Sequence, residues 1–218
     1  MVERPEGAAR KLPSELARLL HDLRGPLNSA VMHLEVLKRT VSDDPSSAES
    51  LRTVLQQLVR LSEMLPAAFS VAALEAATPA PVSLRAVVEQ ARQEAGLESV
   101  RLVGDRWPDV SADRTLLGLG VSQLLRNAVE ATPAGGKPPE VSASHAEEGV
   151  VLSVRDWGAG LPTANPKLLI RLLHSTKAGH RGVGLVTAER VARLHGGVLT
   201  FEALSDGARV SLHLPDAL

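Results

Sequence analysis

Cysteine and tyrosine are absent from this chain of 218 residues, which has only two phenylalanines and two tryptophans. Without cysteine there are no disulfides, no zinc–thiolate sites and no thiol nucleophile. With aromatics at 2%, Leu, Val and Ala must fill the cores, and an aromatic platform for stacking single-stranded nucleic acid is not expected. The formal net charge is −1, so the chain lacks the basic excess of a nucleic-acid or anionic-membrane binder. No apolar run approaches the ~20 residues of a membrane span. The first eleven residues, MVERPEGAARK, are charged and lack the apolar centre of a signal peptide. These absences predict a cytoplasmic protein with no membrane span and no nucleic-acid partner.

What is present is organised in two textures. Over residues 12–41, Leu16, Leu20, Leu23, Leu27, Ala30, Leu34 and Leu37 recur in steps of four and three, a heptad seam on one long helix. Residues 46–76 repeat the pattern with Leu51, Val54, Leu58, Leu61 and Leu65. Asp44 followed by Pro45 is a helix-start signal between them. Two such helices joined by a short turn form an αα-hairpin. The periodicity fits either a hairpin packed within its own chain or two copies paired as a four-helix bundle. Too much seam for one hairpin to bury argues for the homodimer.

Thr78-Pro79-Ala80-Pro81 breaks the pattern and reads as a linker. Expected boundaries are therefore 1–77 for the helical hairpin, 78–81 for the linker and 82–218 for a second domain. In that domain helices are predicted over 84–95, 112–131 and 187–194. The middle one opens near Asp113, and the last is stopped by Gly196-Gly197. Strands are predicted over 100–103, 141–144, 150–155, 198–202 and 208–214. Helices with mostly antiparallel strands suggest a two-layer α/β sandwich with the helices on one face of the sheet.

Four segments carry candidate chemistry. The first is His21-Asp22-Leu23-Arg24-Gly25-Pro26-Leu27-Asn28. His21 stands one step off the seam, toward solvent. Imidazole is a competent nucleophile near neutral pH, and Asp22 could accept its proton or fix its tautomer. Pro26 should bend the helix just beyond. The second is Gln123-Leu124-Leu125-Arg126-Asn127-Ala128-Val129-Glu130-Ala131. Gln123 and Asn127 share a helix face, and an amide oxygen suits a hard cation held between protein and phosphates. The third, Asp156-Trp157-Gly158-Ala159-Gly160, ends a strand with a carboxylate and lets a ligand ring approach the backbone at the glycines. The fourth runs from His174-Ser175-Thr176-Lys177 to Gly182-Val183-Gly184-Leu185, where glycines open a helix and Lys177 adds a point charge, as in a phosphate cradle. Each segment alone fits an ordinary surface helix, turn or loop.

Together, in this order, they resemble sensor histidine kinases. The His21 string resembles the H box of the dimerisation and phosphotransfer domain. The Asn127, Asp156 and Gly182–Gly184 strings resemble the N, G1 and G2 boxes of Bergerat-fold ATPases. The resemblance spans residues 12–214, and it implies a dimeric four-helix bundle followed by a Bergerat-fold ATPase domain. It further implies ATP-dependent autophosphorylation of His21 and transfer to an Asp of a response-regulator receiver domain. His21, Asp22 and Gln123 would act in catalysis. Asn127, Asp156, Gly158, Gly160, Lys177, Gly182 and Gly184 would hold ATP, with Asn127 on Mg²⁺. Input would come through a separate soluble sensor or regulator protein.

The sequence departs from the family at several points. His174 stands where many relatives carry Phe, Gln123 where some carry Asn, and the stretch 160–182 is short for an ATP lid, which predicts weaker binding or slower turnover. Two rival readings are a phosphotransfer protein with a vestigial ATPase domain and an ATP-driven clamp. A clamp ATPase needs a carboxylate base one turn before the Asn, and Gln123 is not one.

Overall fold

The computed structural model describes residues 79–163, 165, 169–170 and 183–215. In the N-terminal part it describes positions 23, 26, 27, 29, 30, 32–34, 37, 49, 51–54, 56–58, 61, 68 and 70–75. The chain divides into two compact units, residues 1–73 and 74–218.

In the first unit the described residues from 23 to 37 and from 49 to 72 are helical. Their burial follows the heptad. Leu23, Ala30 and Leu37 are buried at intervals of seven, and so are Val54, Leu61 and Ala68. Leu27, Leu34, Leu51 and Leu58, the other half of each seam, are only half-buried.

The second unit runs β1 (Ala80–Ser83), α1 (Leu84–Glu94), β2 (Arg101–Val103), β3 (Asp109–Ala112), α2 (Arg114–Ala131), β4 (Glu140–Ala146), β5 (Gly149–Asp156), α3 (Gly184–Leu194), β6 (Val198–Leu204) and β7 (Gly207–Leu214). Five strands form one sheet in the order β2-β4-β5-β7-β6. β2 and β4 are parallel, and the other neighbours are antiparallel. β1 and β3 form a separate antiparallel ribbon.

This ribbon corrects the sequence reading in one place. Ala80 and Pro81, assigned to a linker, are the first residues of β1, opposite Ala112 and Ser111. A two-stranded ribbon is all edge, so a proline without an N–H is tolerated there. Extended Pro-rich linkers and strands occupy neighbouring backbone regions, so composition alone does not separate them. Thr78 lies outside the described residues. β3 was likewise unforeseen: four residues after Trp107-Pro108 gave too short a pattern.

Register sorts the two faces of the five-stranded sheet. Ala143, Leu152, Leu212 and Leu199 form one inward row across β4, β5, β7 and β6. Ser142, Ser153, Ser211 and Thr200 form the neighbouring outward row, where the Ser153 and Ser211 hydroxyls bond at 2.8 Å. A slip of one residue would exchange these rows, so burial fixes the pairing.

The helices cover the inward face. Leu84, Val87 and Val88 of α1, Leu117, Val121, Leu124 and Leu125 of α2, and Ala188 and Ala192 of α3 join Val141, Leu152 and Leu212 in one core. Ser83 caps α1 by accepting from Ala86 N–H, and Asp113 caps α2 by accepting from Leu116 N–H at 2.9 Å. α2 and α3 run antiparallel and close. A methyl on Gly120 would stand 3.0 Å from Val191 Cγ1, whereas Gly184 faces Gln123 and Asn127 further along α2.

His195 ties the end of α3 to the start of α2. Its Nε2 lies 3.0 Å from the Asp113 N–H, which can only donate, so Nε2 accepts. The ring proton therefore sits on Nδ1, which donates to Val191 O at 2.8 Å.

Leu117 is fully buried, and Leu119, two residues on, is 36% exposed. Leu117→Ala is expected to cost about 2–5 kcal/mol by the cavity it leaves. Leu119→Ala is expected to change stability by less than about 0.5 kcal/mol. Denaturant unfolding of both variants measures the difference, and equal losses would contradict this burial.

Candidate functional site

The end of β5 is where the sheet delivers a carboxylate to the edge of the core. Asp156 is 9% exposed. Burying a carboxylate requires hydrogen bonds to it. Its Oδ1 accepts from Gly158 N–H at 2.9 Å and from Ala208 N–H at 3.2 Å. Among the described residues Oδ2 accepts from none. Antiparallel pairing of β5 with β7 puts Ala208 opposite Asp156, so the second donor follows from sheet register.

The two glycines after Asp156 are steric necessities of different kinds. A side chain at Gly158 would overlap Ala131 O, the last carbonyl of α2, and would crowd Asp156 Oδ1 at 3.1 Å. Gly160 has φ +82°, a region that favours glycine.

α2 presents the second cluster. Gln123 and Asn127, four residues apart, both face Gly184, the first residue of α3. A methyl on Gly184 would stand 3.2 Å from Gln123 Oε1 and 3.4 Å from both Asn127 Nδ2 and Oδ1. α3 begins three residues earlier than its apolar pattern predicted, because glycine and valine at its start carry no cap signal. No side chain caps it at Val183. Asn127 Nδ2 is buried without a hydrogen-bond partner. An orphaned buried amide is costly, and a site awaiting a polar ligand explains it.

The clusters are joined by the last turn of α2. From Asn127 to Ala131, beside Gly158, is four residues, ~6 Å along the axis. Thr132 closes the helix: its hydroxyl donates to Ala128 O at 2.9 Å and accepts from Trp157 N–H at 3.3 Å. The Trp157 indole N–H donates to Pro138 O at 2.9 Å. Neither Thr132 nor the Trp157 ring stood out in the sequence. Thr132 precedes a proline and reads only as a helix end.

The structure thus brings Gln123, Asn127 and Gly184 together, and Asp156, Gly158 and Gly160 together. His21, Asp22, Lys177 and Gly182 lie outside the described residues, as does His174. Among the described residues no helix is long and apolar enough to cross a membrane.

The chain resembles known proteins along most of its length. Residues 14–95 match the His Kinase A (phospho-acceptor) domain. Residues 112–218 match the histidine kinase-, DNA gyrase B-, and HSP90-like ATPase family. The signal transduction histidine-protein kinase AtoS of Escherichia coli is 26% identical over 208 residues, 92% of this chain and 34% of AtoS. The ATP-binding domain of PrrB from Mycobacterium tuberculosis is 25% identical with a TM-score of 0.52, over 65% of this chain and all of that domain. Histidine kinase ThkA, solved in complex with the response regulator TrrA, has a similar fold, with a TM-score of 0.60 at 18% identity over 94% of this chain and 62% of that one. The chain spans between about a third and a half of the length of the curated relatives it matches. With a phospho-acceptor domain followed by an ATPase domain of this kind, the chain belongs to the sensor histidine kinases and carries their catalytic core.

Proposed function

We propose that this chain binds ATP in its second unit, phosphorylates His21 in its first, and passes the phosphoryl group to an aspartate of a response-regulator receiver domain. The observation that carries the nucleotide half is Asp156. One carboxylate oxygen is saturated by two backbone N–H groups, and the other is left to accept from an exocyclic amine such as that of adenine. Gly158 and Gly160 let a purine lie against the backbone. Asn127, whose Nδ2 lacks a partner, faces the α3 N-terminus at Gly184, where backbone N–H groups and the helix dipole favour phosphate. Lys177 and Gly182 complete the grip on the triphosphate.

The donor set also fits Mg²⁺. Among the described residues no group of three or more His, Cys, Asp or Glu could hold a metal. Asn127 Oδ1 would instead be the protein group that holds the ion. There Mg²⁺ would neutralise charge that develops on the phosphate oxygens.

In the phosphoryl-transfer step, an imidazole nitrogen of His21 forms the bond to the γ-phosphorus as the bond to the ADP oxygen breaks. The proton on the ring's other nitrogen passes to Asp22, and ADP leaves with the bond electrons. Gln123, beside Asn127, can hold a water but cannot deprotonate it, so water competes poorly with His21. The retained Asp156 and Gly184 geometry favours a working ATPase unit over a vestigial one. A soluble sensor or regulator protein would supply the input.

The half-buried Leu27, Leu34, Leu51 and Leu58 support the homodimer. In a four-helix bundle of two hairpins these seam positions would be covered by the second copy.

Three outcomes are expected. Incubation with γ-labelled ATP should label the chain in an acid-labile, base-stable form. The label should vanish in His21→Gln while ATP binding survives, and equal labelling of that variant would refute the acceptor. Asp156→Asn should weaken ATP binding by roughly ten- to a hundredfold, about 1–3 kcal/mol, measured by calorimetry. Gly184→Ala should weaken it as well, about tenfold, because the methyl enters the space between Gln123 and Asn127.

A further inference from the structure

We propose that Trp157 is a positioning residue that fixes the Asp156 carboxylate relative to α2 and thereby sets discrimination for adenine over other purine nucleotides. The inference rests on the reading of Asp156 as the purine-amine acceptor. Trp157 is the residue next to it in the chain, and it is held from three directions, once through its backbone N–H and twice through its ring.

The first tether leads to α2. Thr132 Oγ1 spends its one proton on Ala128 O and accepts the Trp157 N–H, so the residue after Asp156 is bonded to a hydroxyl anchored one position beyond Asn127. The second is the indole N–H on Pro138 O, which ties the ring to the loop after α2. The third is electrostatic. The guanidinium carbon of Arg155 lies 3.7 Å from the ring centroid, and Lys137 Nζ lies 4.5 Å from it. Two cations on one ring repel each other, and Arg155 is held there by Asp206 at 2.7 Å. Arg155 Nε is buried without a hydrogen-bond acceptor, as expected of a guanidinium engaged with a ring.

Asp206 closes the circuit. It lies in the turn before β7, two residues ahead of Ala208, whose N–H is the second donor to Asp156 Oδ1. Segments that shape the Asp156 environment, namely the end of α2, the loop at 137–138 and the β6–β7 turn, therefore meet at Trp157. Freeing the ring would let the carboxylate rotate or shift. Selection between an amine and a carbonyl on the purine depends on the direction of Oδ2, so selectivity should suffer before phosphate binding does.

The test is the ratio of ATP to GTP affinity, measured by calorimetry on the full chain with Mg²⁺. Trp157→Ala is expected to lower ATP affinity about tenfold and leave GTP affinity unchanged, so that the ratio collapses. Trp157→Phe keeps a ring for the two cations and should restore ATP affinity to within about threefold of the parent. A residue that merely filled space would lower both affinities together and leave the ratio intact, and that result overturns the proposal. Should Trp157→Ala fail to fold, Thr132→Val removes the acceptor of the Trp157 N–H at nearly constant volume. A reduced ratio there supports the proposal, and the parental ratio overturns it. Asp156→Asn separates the two levels. If it leaves the ratio unchanged, the reading of Asp156 fails and this inference with it. If it abolishes the ratio while Trp157→Ala and Thr132→Val keep it, the reading stands and the inference alone falls.

Discussion

A carboxylate removed from water must be hydrogen-bonded, and among the described residues Asp156 finds its donors in the backbone alone. Two N–H groups converge on one of its oxygens, from Gly158 in its own turn and Ala208 on the neighbouring strand. Much of the second unit is arranged to make this convergence possible. β5 lies in the centre of the sheet, β7 is paired so that Ala208 stands opposite Asp156, and Gly158 admits the last carbonyl of α2 at a place where a side chain would overlap it. Sheet register sets the Ala208 donor and the turn after β5 sets the Gly158 donor, so one carboxylate oxygen is held by backbone from two segments.

Helix and strand are tied together at several points. α2 and α3 approach closely at Gly120 and again at Gly184, and His195 bonds the end of one to the start of the other. Thr132 then joins α2 to the turn after β5. The helices over the sheet are thereby tied to the turn that carries Asp156. The outward face of the sheet takes no part in this. Its hydroxyl row and the Arg209–Glu202 pair at 2.7 Å are what a solvated antiparallel face is made of.

The two units differ in what they bury. The helical unit offers a seam of Leu, Val and Ala with half-buried positions left over, suited to a second copy. The α/β unit buries its own core around Leu124, Leu125, Leu152 and Leu212.

Periodicity alone was enough to reveal the heptad seams, the three helices and five of the seven strands of the second unit, because each has a hydrophobic repeat that one-dimensional spacing records. Gln123, Asn127, Asp156, Gly158, Gly160 and Gly184 were legible for a different reason: local strings of glycine, amide and carboxylate keep their chemistry whatever surrounds them. The ribbon of β1 and β3 was not legible, since Ala80 and Pro81 at an edge look like any extended segment. Tertiary structure alone decided that Ala208 would donate to Asp156 across 52 residues, that Gly184 would face Gln123 and Asn127, and that Thr132 and Trp157 would bind α2 to the turn after β5. Those contacts join residues distant in sequence, and only the register of the sheet and the antiparallel packing of α2 on α3 bring them within bonding distance.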